Sequence, residues 1–153
     1  GEDEDRPGLH EPLSQRVSRI GKMSAPIWIE KPDCLAAHEQ LLARSWGHPG
    51  IRDVGLLDEA LAAPQRLFRA KRPPHFELAA TYARGIVKNR PFLDGNLPSG
   101  LMAAVVFLEI NGFQFRAPEE EAVLQTLALA AGETTAADYA AWLARSCSAR
   151  ESG

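Results

Sequence analysis

Along most of this chain, apolar positions recur three and four residues apart, the spacing of one buried helix face. After Trp28, Pro32 falls where a first-turn proline is tolerated, and Leu35, His38, Leu41, Leu42 and then Ser45 or Trp46 follow the helical spacing. Gly47-His48-Pro49-Gly50 ends that helix. Val54 to Leu61 predicts a short amphipathic segment stopped by Pro64, and Pro73-Pro74 breaks the chain again. His75 to Lys88 predicts a long helix with Leu78, Tyr82, Ile86 and Val87 available for a core. Leu101 to Ile110 is the most apolar segment, closed by Asn111-Gly112. Glu119 to Ala131 predicts another helix, with three glutamates in the first turn where the helix dipole favours acids, and Gly132 ends it. Thr135 with Asp138 resembles a capping box that opens a last helix through Tyr139, Trp142 and Leu143. No alternating stretch covers four or more positions. The pattern predicts an all-α single domain of about six helices.

Composition narrows the class. The 153 residues are 45% hydrophobic, 24% charged and 7% aromatic, the profile of one globular domain. A chain of this length buries roughly 70% of its unfolded surface, so a core forms without disulfide or metal staples. A formal charge of −3 carries no basic excess and argues against a non-specific nucleic-acid binder. The longest apolar run, Leu101 to Leu108, is far short of the roughly 20 residues of a membrane span, so a cytoplasmic protein with no membrane partner is expected. Cys34 and Cys147 have no metal-ligand spacing around them, and a buried structural role is expected for both. Residues 1–22 open with four acids and lack the basic and apolar regions of a signal peptide. They predict a flexible or weakly ordered extension, with Met23 a candidate natural start and the domain over residues 23–150. Alternatively, Leu13, Val17 and Ile20 have the spacing of a short docked helix.

The candidate chemistry lies in Arg90-Pro91-Phe92-Leu93-Asp94-Gly95-Asn96. A long helix ends there, and a very apolar one begins. Asn96 is a good N-cap residue, and Gly95 allows a positive φ and a close ligand approach. The amides of Gly95, Asn96 and Leu97 would point outward at the positive end of a helix dipole, a cradle for an anion or phosphate. Asp94 at the rim suits magnesium, which takes one or two carboxylates plus substrate phosphates, and Phe92 would point inward as the anchor. The plainer reading is a polar turn whose side chains only cap.

Asn89 to Asn96, followed by an apolar helix ending Phe107-Leu108-Glu109-Ile110-Asn111-Gly112, resembles the Fic/Doc (Fido) superfamily, most of all its death-on-curing, Doc-type branch. Upstream, His38 to Leu42 and Gly50 to Leu61 are similar to that branch's first helix and flap. Downstream, Leu127 to Glu133 and the Trp142 helix resemble its last helices. The resemblance implies transfer of AMP or a terminal phosphate from ATP, with Mg2+, onto a protein hydroxyl. For the Doc-type branch it implies a kinase-like toxin that acts on elongation factor Tu and is held by a disordered antitoxin peptide.

Pro91, Phe92, Asp94, Gly95 and Asn96 match the family motif, and Ser99 replaces its threonine conservatively. Three departures fall on the chemistry. Arg90 stands where the family has the histidine that deprotonates the hydroxyl, and a guanidinium stays protonated in proteins. Leu97 and Pro98 stand where it has the cationic pair that holds the nucleotide phosphates. The resemblance therefore implies a Doc-type protein with lost or strongly impaired transfer, in which Arg90 might contact a phosphate in place of the missing clamp. The alternative is a slow transferase working through Asp94, Gly95 and Asn96.

Other residues carry weaker signals. His38, on an apolar helix face, predicts a satisfied core or interhelical histidine, whereas His48 and His75, beside prolines, predict solvated side chains. No two histidines have a ligand spacing, so no structural metal is expected. Arg52 and Asp53 lie in the flap, which in the family lines the target groove; an N-cap aspartate beside a surface arginine is the other reading. Arg66, Arg69, Lys71 and Arg72 form either a solvated face or a seat for an acidic partner segment, the tail acids included.

Overall fold

The computed structural model describes residues 25–44 and 47–150. The expectations placed on residues 1–22, Met23, Ser45 and Trp46 lie outside the described residues. Six helices and two three-residue strands make up the regular structure within them.

Helix α1 (Lys31–Ala43) opens on a reciprocal cap, with the Glu30 amide donating to Asp33 Oδ2 at 3.1 Å. It buries Cys34, His38 and Leu42, one residue from each successive turn. Helix α2 (Val54–Lys71) starts at Asp53, whose Oδ1 accepts the Leu56 amide at 3.0 Å. Arg69 and Lys71 fall in its last turn, at the negative end of the dipole. Pro64 does not stop this helix, contrary to the sequence pattern; α2 continues for seven residues beyond it. The ring is fully buried, and the residues around it are good helix formers, so packing offsets the one hydrogen bond that a proline removes. The carbonyl left without that donor is Ala60's. It faces Gly85 of the next helix, where an added Cβ would lie 3.0 Å from the Ala60 Cβ and 3.6 Å from its oxygen.

That next helix, α3 (His75–Asn89), is the centre of the fold. It packs against α2, α4 (Asn96–Ile110), α5 (Glu119–Ala131) and α6 (Ala136–Arg145). Four neighbours leave little exposed face, and accordingly Leu78, Ala79, Ala80, Tyr82, Ala83, Ile86 and Val87 are all buried. Small residues set the spacing between axes. At Gly100 of α4 an added Cβ would lie 2.6 Å from Val87 Cγ1 and 3.1 Å from the Ala83 carbonyl oxygen.

Polar side chains pin the periphery onto this centre. Tyr82 Oη accepts the Ile29 amide at 3.1 Å. Asn111 accepts the Ile27 amide at 2.8 Å and donates to the carbonyls of Ile27 and Phe107. Thr126 Oγ1 donates to the Ala122 carbonyl, so at 2.8 Å it accepts from Tyr139 Oη across the α5–α6 contact. Burial pushes the Tyr139 phenol up to about 12. The Thr135 cap forms as expected, its Oγ1 accepting the Asp138 amide at 3.0 Å.

The sequence pattern left out one feature. Strands β1 (Phe113–Phe115) and β2 (Cys147–Ala149) pair antiparallel, with Gln114 opposite Ser148, and fasten the last helix to the end of α4. At three residues each they are too short to show alternation. Cys34 is buried as expected, but Cys147 is only half-buried because it lies in this edge pair. Burial pushes both thiols up to about 11. No helix among the described residues is long and apolar enough to cross a membrane.

His75 departs from the solvated side chain expected. It is the first residue of α3, its ring lies 5.6 Å from Phe113 and 6.1 Å from Phe107 between centroids, and its Nε2 is buried without a partner. Burial lowers its pKa below the ordinary 6.5, so in that window the unfolded chain binds the proton more readily. The His75 contribution to stability is therefore intact above about pH 6.5 and declines as pH falls toward the lowered folded value. Denaturant titrations at pH 7 and pH 5 should show this loss, and His75→Phe should diminish it. Separately, Gly100→Ala should destabilise the fold by about 1–3 kcal/mol, since Val87 and the α3 backbone leave no room for a methyl.

Candidate functional site

The loop between α3 and α4 is built around one buried side chain. Asn96 Oδ1 accepts the Phe92 amide at 3.0 Å, and Asn96 Nδ2 donates to the Phe92 carbonyl, also at 3.0 Å. Both halves of the amide are thus used within the loop. The N-cap is Gly95 rather than Asn96, with φ of +76°. Asn96 is instead the first helical residue, because its amide satisfies the preceding turn better than it could satisfy an amide ahead of it. Glycine at 95 is required twice. A side chain is disfavoured at that φ, and a Cβ would lie 3.2 Å from Leu42 Cδ2 and 3.6 Å from His38 Nε2.

Phe92 points inward as expected and is almost fully buried. His38 from α1 lies flat on it, with ring centroids 3.7 Å apart and 10° between planes, while its Nε2 is 2.8 Å from the Asp94 carbonyl oxygen. A carbonyl only accepts, so Nε2 carries the hydrogen. His38 is the buried, satisfied interhelical histidine of one of the readings above. It holds the loop rather than offering a ring nitrogen to a ligand.

The flap is zipped to the same loop. Ile51 bridges Phe92 in antiparallel fashion, the amides of Arg52 and Asp53 donate to the Pro91 carbonyl, and the Leu93 amide donates to the Gly50 carbonyl. Arg52 uses its guanidinium on the end of α3, with Nε donating to the Arg90 carbonyl and Nη2 to the Asn89 carbonyl, both at 2.7 Å. A cation on the last carbonyls of a helix also complements its dipole. Asp53 is the α2 N-cap. The two flap residues therefore act on helix ends.

Asp94 is half-buried, and its Oδ2 accepts the His48 amide at 2.8 Å. The His48 side chain is exposed, as expected. Arg90 is the C-cap of α3 in the left-handed region, with φ of +51°, and its side chain is exposed. No group among the described residues accepts from the amides of Asn96 and Leu97, and Pro98 has none to offer. Leu97 is half-buried against the core, Pro98 is exposed, and Ser99 is buried with its Oγ unpartnered. No cluster of three or more histidine, cysteine, aspartate or glutamate side chains suited to a metal occurs among the described residues. Arg90, Asp94, Gly95, Asn96, Leu97, Ser99, Arg52 and Asp53 thus converge on one loop and its flap. Two contributors were not legible in the sequence. The His48 amide is a backbone group without a side-chain signal, and nothing in local sequence says that Arg52 reaches the α3 terminus.

The profile of the Fic/DOC family matches residues 28–108, from the segment before α1 through most of α4. Two relatives extend the likeness. One is "Toxin Doc" of Mycolicibacterium smegmatis (strain ATCC 700084 / mc(2)155), 37% identical over 73 residues, which cover 46% of this chain and 56% of that protein. The other is "Protein kinase doc" of Escherichia phage P1, 30% identical over 118 residues, or 76% of this chain and 93% of the phage protein.

The chain belongs to the Fic/DOC family.

Its relatives place it on the Doc-type side of that family, although it spans just over half the length of the mycobacterial protein. The elements named above as similar to the Fic/DOC first helix, flap and motif loop are those that meet here: α1 through His38, the flap through Ile51 to Asp53, and the loop through Phe92 to Asn96. The Asn96 clasp makes a measurable prediction. Asn96→Ala leaves the buried Phe92 amide and carbonyl unpaired and should lower unfolding stability by about 2–4 kcal/mol in denaturant titrations. Asn96→Asp, which keeps the acceptor, should cost less.

Proposed function

We propose that this chain is a cytoplasmic Doc-type toxin–antitoxin protein, with one Fido domain over residues 23–150, in which transfer of phosphate or AMP to protein hydroxyls is lost or strongly impaired. The observation that carries the reading is Arg90. It occupies the position of the family's general-base histidine, sits at the mouth of the loop with an exposed guanidinium, and remains protonated. Loss of a general base lowers rate by about 10²- to 10⁴-fold.

The donor set does not fit a magnesium–nucleotide pair. Asp94 is the loop's one carboxylate and already spends Oδ2 on His48. The first turn of α4 carries Leu97 and Pro98 in place of cations, and Arg52 is committed to the α3 carbonyls. The intact half of the motif supports retention of the scaffold and, with it, of an antitoxin peptide as partner. Elongation factor Tu remains the target class against which the loss is measured.

Incubation with radiolabelled ATP, magnesium and elongation factor Tu should give no target labelling above that of Asp94→Ala. Clear labelling of the target by the unaltered chain would overturn the reading. Calorimetric titration with magnesium and millimolar ATP should likewise register no binding. In the converse experiment, Arg90→His, Leu97→Lys and Pro98→Arg are introduced together, and expression of the restored chain should arrest growth where the unaltered chain does not.

A further inference from the structure

Helix α5 turns an unpartnered apolar stripe to solvent. Ala122, Thr126 and Leu129 are buried on its inner face, while Val123, Leu124 and Leu127 on the other side are 39%, 59% and 47% exposed. Glu120, Val123, Leu124, Leu127 and Ala131 follow one another at three- and four-residue spacing, so they line one face of the helix. The other large exposed apolar side chains among the described residues, Ile51, Val54 and Leu93, belong to the flap and loop already described.

The ends of the same stripe carry opposite charge. Glu119 and Glu120 lie in the first turn and have no ion-pair partner among the described residues. At the other end, a Cβ at Gly132, the C-cap, would lie 3.4 Å from Lys88 Nζ, an ammonium that is likewise unpaired there. A surface that is apolar in the middle, acidic at one end and basic at the other is complementary to itself when turned by a two-fold axis.

We propose that α5 is a self-association surface whose occupant is the α5 of a second copy of this chain, antiparallel to the first. Centring the axis between Leu124 and Leu127 sets Leu124 against Leu127 of the partner subunit and the reverse. In the same register Glu119 and Glu120 reach the end of the helix at Gly132 of the partner subunit, beside the partner's Lys88. The two helix dipoles oppose each other, which adds to the pairing. A single helix stripe buries less than the roughly 800 Å² per partner of a standard interface, so the dimer is reversible and concentration-dependent.

Sedimentation velocity of the full chain, from about 1 µM to about 1 mM, tests this. A monomer–dimer equilibrium is expected, weakened by salt as the end charges are screened. Leu124→Asp is exposed and leaves the core untouched, so it should fold with an unchanged thermal midpoint and sediment as a monomer throughout. Lys88→Glu should raise the dissociation constant about tenfold, and Glu119→Lys with Glu120→Lys added to it should restore the wild-type value. A monomer at all concentrations, or a dimer indifferent to Leu124→Asp, would overturn the proposal. So would a failure of the charge reversal to rescue. A monomer that instead captures a different protein through the stripe also counts against it.

Discussion

Two hydrogen bonds from one buried amide organise the loop end of this molecule. Asn96 closes on the main chain of Phe92, and that closure fixes three further things. It aims the Phe92 ring into the core, where His38 covers it. It holds the Pro91 carbonyl and Leu93 amide in line with the flap, so that Gly50, Arg52 and Asp53 find partners. It also starts α4 at a residue whose own amide stays available to solvent. Removing the clasp leaves each of these contacts geometrically possible but no longer held, which is why a single side chain governs loop, flap and helix start together. The α3–α4 packing at Gly100 supplies the rigid floor beneath it.

What the sequence made legible follows from range. Helical periodicity is a local property, and the helices from His75 and from Glu119 lie close to where the pattern puts them. Caps written in adjacent residues were equally legible, as at Thr135 with Asp138. Pro64 misled because the rule that proline ends helices is also local, whereas burial of its ring against other helices decides the outcome here. His75 misled in the same way. Two prolines beside it suggest a loop, yet Phe107 and Phe113 arrive from 32 and more residues away to cover it. Within the site, the residues were visible but their tasks were not. Asn96 has the chemistry of an N-cap and the position of a clasp, and only the geometry of Phe92 separates the two.

The motif therefore divides into a half that builds and a half that reacts. Phe92, Gly95 and Asn96 carry the architecture through burial, backbone sign and hydrogen bonding, and each contact is made within the protein itself. Positions 90, 97 and 98 make no such contacts with the loop's own framework: their side chains are exposed, or at Leu97 turned partly onto the core. Chemistry at those positions can change without moving the fold, since nothing structural hangs on a cation at 97 or an imidazole at 90. A scaffold of this kind separates the ability to fold from the ability to react.

Arg72 and Arg90 both hold left-handed backbone, with φ of +45° and +51°, at the ends of α2 and α3. Glycine is the residue that relaxes such a position, and an L side chain there costs on the order of 1 kcal/mol. Arg72 has a local return, because its guanidinium lies 5.2 Å from the centroid of the Phe68 ring. Arg90 has none among the described residues. Its backbone works for the fold, donating to Ile86 and accepting from Arg52, but its side chain does nothing that glycine would not leave intact. The strain at position 90 is thus borne for the sake of what projects from it, which marks that guanidinium as the one part of the loop addressed to something outside the molecule.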